Sequence, residues 1–133
     1  MIQQLPQKDF PLLDEFKKVF DVTEGTVFAY DNKIFSNYGL PNHLKIHEIT
    51  HHEQQKRDGL EYWVEHYLTD PKYRLRMEVE AYKHQLTIIT DRNDRTKLRI
   101  RCAHDLSSSL YGNICTYEEA LKLLSSEWAN RGK

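Results

Sequence analysis

HEITHHEQQ, residues His47 to Gln55, sets two histidines one helical turn apart, with a glutamate directly after the first. On a helix, residues i and i+4 share a face, so the imidazoles of His47 and His51 can reach one metal ion. Glu48 lies about 100° further around. It does not bind the ion, but it can touch a water on it and take that water's proton. The same letters also describe the solvated face of an ordinary helix. The flanks favour burial: Leu44, Ile46 and Ile49 are apolar, which predicts a half-buried helix. A polar pair on such a helix needs partners, and a metal supplies them.

A catalytic zinc usually takes three protein ligands and keeps one position open. The third can come from R-M-E-V-E-A-Y, where Glu78 and Glu80 sit on a later predicted helix. Residues i and i+2 point apart on a helix, so only one of the two can face the ion. Glu78 is favoured, because Tyr82 then shares its face within reach of the metal, and Leu75 and Val79 turn that side toward the core. Otherwise Glu78 is an exposed carboxylate paired with Arg74. The extended form with glycine and a third histidine fails, since Gln54 and Arg57 occupy those positions. His104-Asp105 needs a more distant return of the chain. His52 points away from the His47–His51 face, and His43 shares it one turn earlier. His66 and His84 carry no spacing signal. Cys102 and Cys115 have no partner at metal-ligand spacing and read as reduced thiols.

Outward from the motif, the predicted helix begins with Asn42 as its cap after Pro41 and stops at Gly59. Leu60 to Leu68 is helical by the spacing of Leu60, Trp63, Val64 and Tyr67. Asp70-Pro71 caps the helix that carries Glu78, which runs to about Leu86. Thr90 to Thr96 reads as a surface loop, and Leu98 to Tyr111 as a further helix. Thr116 with Glu119 has the form of a capping box, followed by Ala120, Leu121, Leu123, Leu124 and Trp128. Upstream, Phe10 to Phe20 puts Leu12, Leu13, Phe16, Val19 and Phe20 on one helical face. Thr26 to Tyr30 and Lys33 to Asn37 flank Asp31-Asn32 as a β-hairpin. The expected class is α+β: mostly helical, with a small N-terminal hairpin or sheet, in a single domain over residues 1–133.

The chain has 133 residues with 20 acidic and 19 basic side chains. That balance gives no nucleic-acid footprint and no polybasic membrane anchor. No apolar run approaches the roughly 18–20 residues of a membrane span, and the first residues do not read as a signal peptide. A cytoplasmic location is expected.

HEITHHEQQ, then W-V-E-H-Y-L-T-D-P-K-Y-R-L, then E-V-E-A-Y-K-H-Q resembles small gluzincin-type (HExxH) zinc metallopeptidases of the kind found in phage and prophage genomes. The likeness spans about Lys33 to Gln85. It implies a minimal zincin-like domain in which Zn2+ is held by His47, His51 and Glu78, with Glu48 as general base. Several gluzincin families carry E-x-x-A-D, with an Asp four residues after the ligand Glu; Tyr82 stands at that place here, where it would orient a histidine or donate to the transition state. The expected activity is hydrolysis of a peptide bond in a protein or peptide substrate, with Tyr82 or Tyr73 as oxyanion donor. The Lys33 to Asn37 strand could offer an edge to an extended substrate. Two other readings stay open: a non-catalytic zincin-like module that binds metal and a partner protein, and a non-haem iron enzyme, which also uses two histidines and a carboxylate.

Overall fold

The computed structural model describes residues Ile2–Ser126. It is an α+β arrangement, mostly helical, with a small sheet near the N-terminus. The strands are β1 (Gln3–Leu5), β2 (Phe28–Tyr30) and β3 (Lys33–Phe35). The helices are α1 (Leu13–Lys17), α2 (Asn42–Asp58), α3 (Leu60–Thr69), α4 (Pro71–Thr87), α5 (Arg92–Leu106) and α6 (Tyr117–Ser125).

The hairpin forms as expected. Tyr30 pairs with Lys33 across Asp31 (φ 52) and Asn32 (φ 64), both in the left-handed region that a two-residue turn requires. The sheet also has a strand the periodicity does not announce. β1 pairs in parallel with β3, giving the order β1-β3-β2. β3 is therefore the central strand, and the expectation that Lys33 to Asn37 offers a substrate edge is corrected: both of its sides are already paired. The outer edge of β2 is partly closed as well. Gln55 Nε2 donates to Ala29 O (2.7 Å), and Asp31 N donates to Gln55 Oε1 (3.3 Å), so one side-chain amide stands where a neighbouring peptide group would.

Several boundaries move for identifiable reasons. Pro41, not Asn42, is the cap of α2: its carbonyl accepts from Leu44 N and Lys45 N, each at 3.1 Å, and Asn42 is the first helical residue. Gly59 (φ 93) closes α2 and opens α3, because its N–H donates to Gln55 O and its carbonyl accepts from Trp63 N. Asp70 accepts from Lys72 N (3.0 Å) ahead of Pro71, as expected. The expected loop at Thr90 to Thr96 is largely helix, since Asp91 accepts from Asp94 N (2.9 Å) and starts α5 there. α5 then ends at Leu106, short of Tyr111, where the Ser107 and Ser108 hydroxyls turn back onto helix carbonyls. Of the expected Phe10 to Phe20 helix, only Leu13–Lys17 is α-helical. Phe16 and Phe20 are buried, while Val19 is 37% exposed. The capping box of α6 is present at Thr116 and Glu119; Trp128 lies outside the described residues.

Two apolar clusters flank the middle of the fold. One joins Phe10, Phe16, Phe20, Phe28 and Phe35 to Trp63 and Tyr67 of α3 and Met77 of α4. The other joins Tyr82 of α4 to Cys102 and Leu106 of α5 and Leu124 of α6. Each large side chain so buried contributes about 1.5–3 kcal/mol relative to exposure.

α2 packs chiefly on α4, and what it buries is polar. His47, His51 and Gln54 form one stripe at i, i+4, i+7; Glu48, His52 and Gln55 form the next. All six are buried, whereas Leu44 and Ile46 are half-buried and Ile49 is 39% exposed. The expected burial of this helix is thus met by its polar faces rather than its apolar flanks. The second stripe faces the sheet: His52 Nε2 donates to Lys33 O (2.8 Å), and Gln55 holds β2. The first stripe faces α3 and α4. No helix among the described residues is long and apolar enough to cross a membrane.

Candidate metal centre

The return of the chain through α3 and the Asp70-Pro71 corner lays α4 beside α2, and Glu78 meets the histidine pair there. His47 Nε2 is 3.0 Å from Glu78 Oε1, and His51 Nε2 is 3.0 Å from Glu78 Oε2. The three residues are buried, and one potential ligand atom from each lies within 4.8 Å of the other two. Two imidazole nitrogens and a carboxylate oxygen form a donor set that suits a divalent transition metal. Bonds of about 2.1 Å at tetrahedral angles hold ligand atoms roughly 3.4 Å apart, and the two His–Glu separations of 3.0 Å are close to that. These residues could hold a metal.

Each member has its own partner on the far side. His47 Nδ1 is 2.9 Å from Gln85 Oε1, and His51 Nδ1 is 2.9 Å from Gln54 Oε1. Tyr67 donates its hydroxyl to Glu78 Oε2 at 2.5 Å. Burial, reinforced by the Glu78 charge, pushes the Tyr67 hydroxyl well above its ordinary range, so it stays a donor. Sequence reading finds none of these three. Gln54 and Gln85 carried a weak signal, each lying one helical repeat beyond a predicted ligand: Gln54 at i+7 from His47, and Gln85 at i+7 from Glu78.

Glu80 turns the other way, as the i, i+2 rule requires. Its Oε1 accepts from Gln54 Nε2 (2.8 Å) and from Arg57 Nη1 (3.4 Å). Arg74 does not pair with Glu78. It donates to the backbone carbonyls of Tyr67, Leu68 and Tyr111 and lies over the Phe20 ring.

Glu48 is buried and lines the same cavity as the triad, a space of about 320 Å3. Among the described residues its carboxylate accepts no hydrogen bond. Burial pushes its pKa up, against the opposing pull of His47 and His51, and the Glu78 charge adds to the rise. A carboxylate that no neighbour satisfies and that faces a cavity can accept a proton.

The two tyrosines expected as donors separate. Tyr82 lines the cavity and packs edge-on against His47, with ring centroids 4.5 Å apart; its hydroxyl lies 2.7 Å from that of Tyr111. Tyr73 is not at the site, because its hydroxyl donates to Asp58 Oδ2 (2.6 Å). Of the remaining histidines, His43 is half-buried and its Nδ1 lies 2.8 Å from Gln85 Nε2. His66 stacks on Tyr62 and His104 on Tyr117, both away from the triad, while Asp105 reaches the cavity wall. His84 contacts Thr50 and ties α4 to α2. Cys102 is buried and Cys115 half-buried, both as free thiols. No protein-family model, no curated protein and no solved structure gives a significant match to this chain.

Proposed function

We propose that this chain is a minimal zincin-like, zinc-dependent hydrolase that cleaves peptide bonds. His47, His51 and Glu78 are the ligands in this reading, and Glu48 is the general base. One observation carries it: a buried carboxylate with no hydrogen-bond partner among the described residues, set one position after a ligand and opening into the cavity. A site built only to hold a fold together has no use for an ionisable carboxylate set beside the ligands on a cavity wall. A facial-triad oxygenase does not need it either. The resemblance of the HEITHHEQQ and E-V-E-A-Y segments to gluzincin-type phage metallopeptidases supports the same class.

A bound zinc supplies Lewis acidity, lowering the pKa of water to roughly 7 and polarising a carbonyl oxygen. The chain's residues do the rest. Glu48 takes a proton from the attacking water and later returns it to the leaving amine, so water and peptide become a carboxylic acid and an amine. Tyr82 and Tyr111 share one hydrogen bond between two hydroxyls, which leaves one O–H proton over. Both line the cavity, so the spare proton is available to an oxygen that gains negative charge. The aromatic wall, which includes Phe16, Phe28 and Trp63, suits an apolar substrate side chain.

Incubating purified, zinc-supplemented protein with a denatured proteome and sequencing the new termini tests the reading. Wild type should generate termini that the Glu48→Gln protein does not, while Glu48→Gln retains zinc. Equal cleavage by both proteins would remove Glu48 from the reaction, and no cleavage by zinc-loaded wild type would remove the hydrolase.

A further inference from the structure

The groups behind the three ligands are all uncharged: two amide carbonyls and one phenol. Gln54 is fixed in orientation. Its Oε1 is met by Trp63 Nε1 at 3.1 Å, and an indole N–H can only donate. Its Nε2 is met by Met77 O (3.0 Å) and Glu80 Oε1 (2.8 Å), which only accept. The amide cannot flip, so His51 must carry its proton on Nδ1 to satisfy Gln54 Oε1, leaving Nε2 to bind a metal. Gln85 is different. Among the described residues its amide hydrogen-bonds to two imidazoles, at Nδ1 of His47 (2.9 Å) and Nδ1 of His43 (2.8 Å), and each ring nitrogen can donate or accept. Turning the Gln85 amide over and moving both histidine protons satisfies the Gln85 amide again, and it places a His47 proton on Nε2, facing Glu78 Oε1 at 3.0 Å.

We propose that Gln85 is a positioning residue that sets how readily the site takes up zinc, because its amide can hold His47 either in the metal-binding tautomer or in the opposite one. This rests on the zinc reading above and concerns its regulation. With Nδ1–H of His47 donating to Gln85, Nε2 carries a lone pair for the ion. With the amide reversed, Nε2 carries the proton and donates to Glu78. His51 has no such freedom. His43, half-buried at the wall of the same cavity, is the other end of the reversible chain. A neutral partner also adds no negative charge behind the ligands. The loaded group, a divalent ion with one carboxylate ligand, keeps a net positive charge where many sites back their histidines with carboxylates.

The test uses zinc itself, titrated against a chromophoric chelator, with wild type, Gln85→Met and Gln85→Glu. A carboxylate can only accept, so Gln85→Glu holds the His47 proton on Nδ1, and His43 can still donate to it. Its zinc dissociation constant should fall about tenfold, and that of Gln85→Met should rise roughly 10- to 100-fold, the range for groups behind a ligand. Long-range proton–nitrogen NMR on zinc-loaded wild type should find Nδ1–H on both His47 and His51, and the His51 pattern should persist in Gln85→Met. Thermal melts of the metal-free proteins identify any variant that fails to fold; if Gln85→Met is one, Gln85→Glu decides alone. Dissociation constants within twofold of wild type for the folded variants would overturn the proposal, as would an Nε2–H on loaded His47. If wild type binds no zinc at all, the metal reading falls first and this inference with it.

Discussion

The Tyr67 hydroxyl donates to Glu78 Oε2, on the side of the carboxylate away from the oxygen that faces His47. α3 contributes none of the three candidate ligands, yet through this bond it fixes the plane of the one that α4 supplies. Oε2 meets both the phenol and His51 Nε2 (3.0 Å) while Oε1 faces His47 Nε2 (3.0 Å), so the phenol helps hold the carboxylate between the two imidazoles. Tyr67→Phe keeps the stacking on Trp63 and removes only the donor. Zinc affinity should fall roughly tenfold. The metal-free protein should lose about 1.5–3 kcal/mol, the worth of a hydrogen bond to a charged group. Chelator competition and a urea melt measure the two effects separately. An unchanged zinc affinity would mean that the His–Glu contacts alone hold Glu78 in place.

Glu48 imposes the opposite kind of cost. Because burial raises its pKa, the ionised form destabilises the fold at neutral pH, and the neutral amide of Glu48→Gln is cheaper to bury. Metal-free Glu48→Gln should therefore melt above wild type, by about 1–2 kcal/mol or a few degrees. The gain should shrink as pH falls and Glu48 takes up its proton. Calorimetry in excess chelator at neutral and at mildly acidic pH checks both the sign and the trend. A Glu48→Gln protein that melts lower at neutral pH would show that the carboxylate is stabilised by something other than the cavity.

Spacing alone made the His47–His51 pair and its glutamates legible, because i, i+4 geometry does not depend on what packs nearby. The helix punctuation at Gly59, Asp70-Pro71 and Thr116 was legible for the same reason: each acts through its own backbone. The partners behind the ligands were not. Which amide faces which imidazole depends on how α3 and α4 lie against α2, and no local pattern encodes that. β1 is not legible because three residues are too few to show alternation, and its pairing with β3 depends on a distant part of the chain. The apolar flanks of α2 predict its burial, yet hydrogen bonds to Lys33, Ala29, Met77 and Glu78 make its polar stripes the buried ones. Thr90 to Thr96 read as loop because it is charged, and the Asp91 cap outweighed that composition.

Without metal, the triad is an ion pair whose strength depends on pH. Burial lowers the His51 pKa, but the adjacent Glu78 carboxylate and its hydrogen bond outweigh burial and lift it from 6.5 to about 9. Glu78 moves the other way, because the charge on His51 and hydrogen bonds from both histidines overcome burial and depress it below 4.5. The His51 contribution is fully present below pH 6.5 and is lost as pH rises through about 9. The Glu78 contribution is present above pH 4.5 and is lost as pH falls toward its lowered value. Metal-free protein should melt highest between those two ordinary values. Zinc takes the place of the His51 Nε2 proton, so the rise in melting temperature on adding zinc should grow as pH increases toward 9. Paired melts with zinc and with chelator across this range measure the difference. A zinc effect that is flat with pH would mean that no proton leaves when the ion binds.

Gln55 links the chemistry-bearing helix to the sheet, and its loss should be felt in both. The Ala29 carbonyl that it satisfies belongs to a residue only 8% exposed, so water cannot replace the amide at full strength. Gln55→Leu leaves that acceptor unpaired, at a cost of about 1–3 kcal/mol. Asp31 is exposed, and its N–H can turn to solvent instead. Because His52 still reaches Lys33 O from the same stripe, α2 stays attached, and the triad on its neighbouring face should keep its zinc affinity to within a few fold. Amide exchange should locate the damage in Phe28–Tyr30 and spare α4. Loss of zinc binding at a temperature where Gln55→Leu remains folded would mean that the two stripes of α2 are coupled, and that the sheet helps set the distance between His47 and Glu78.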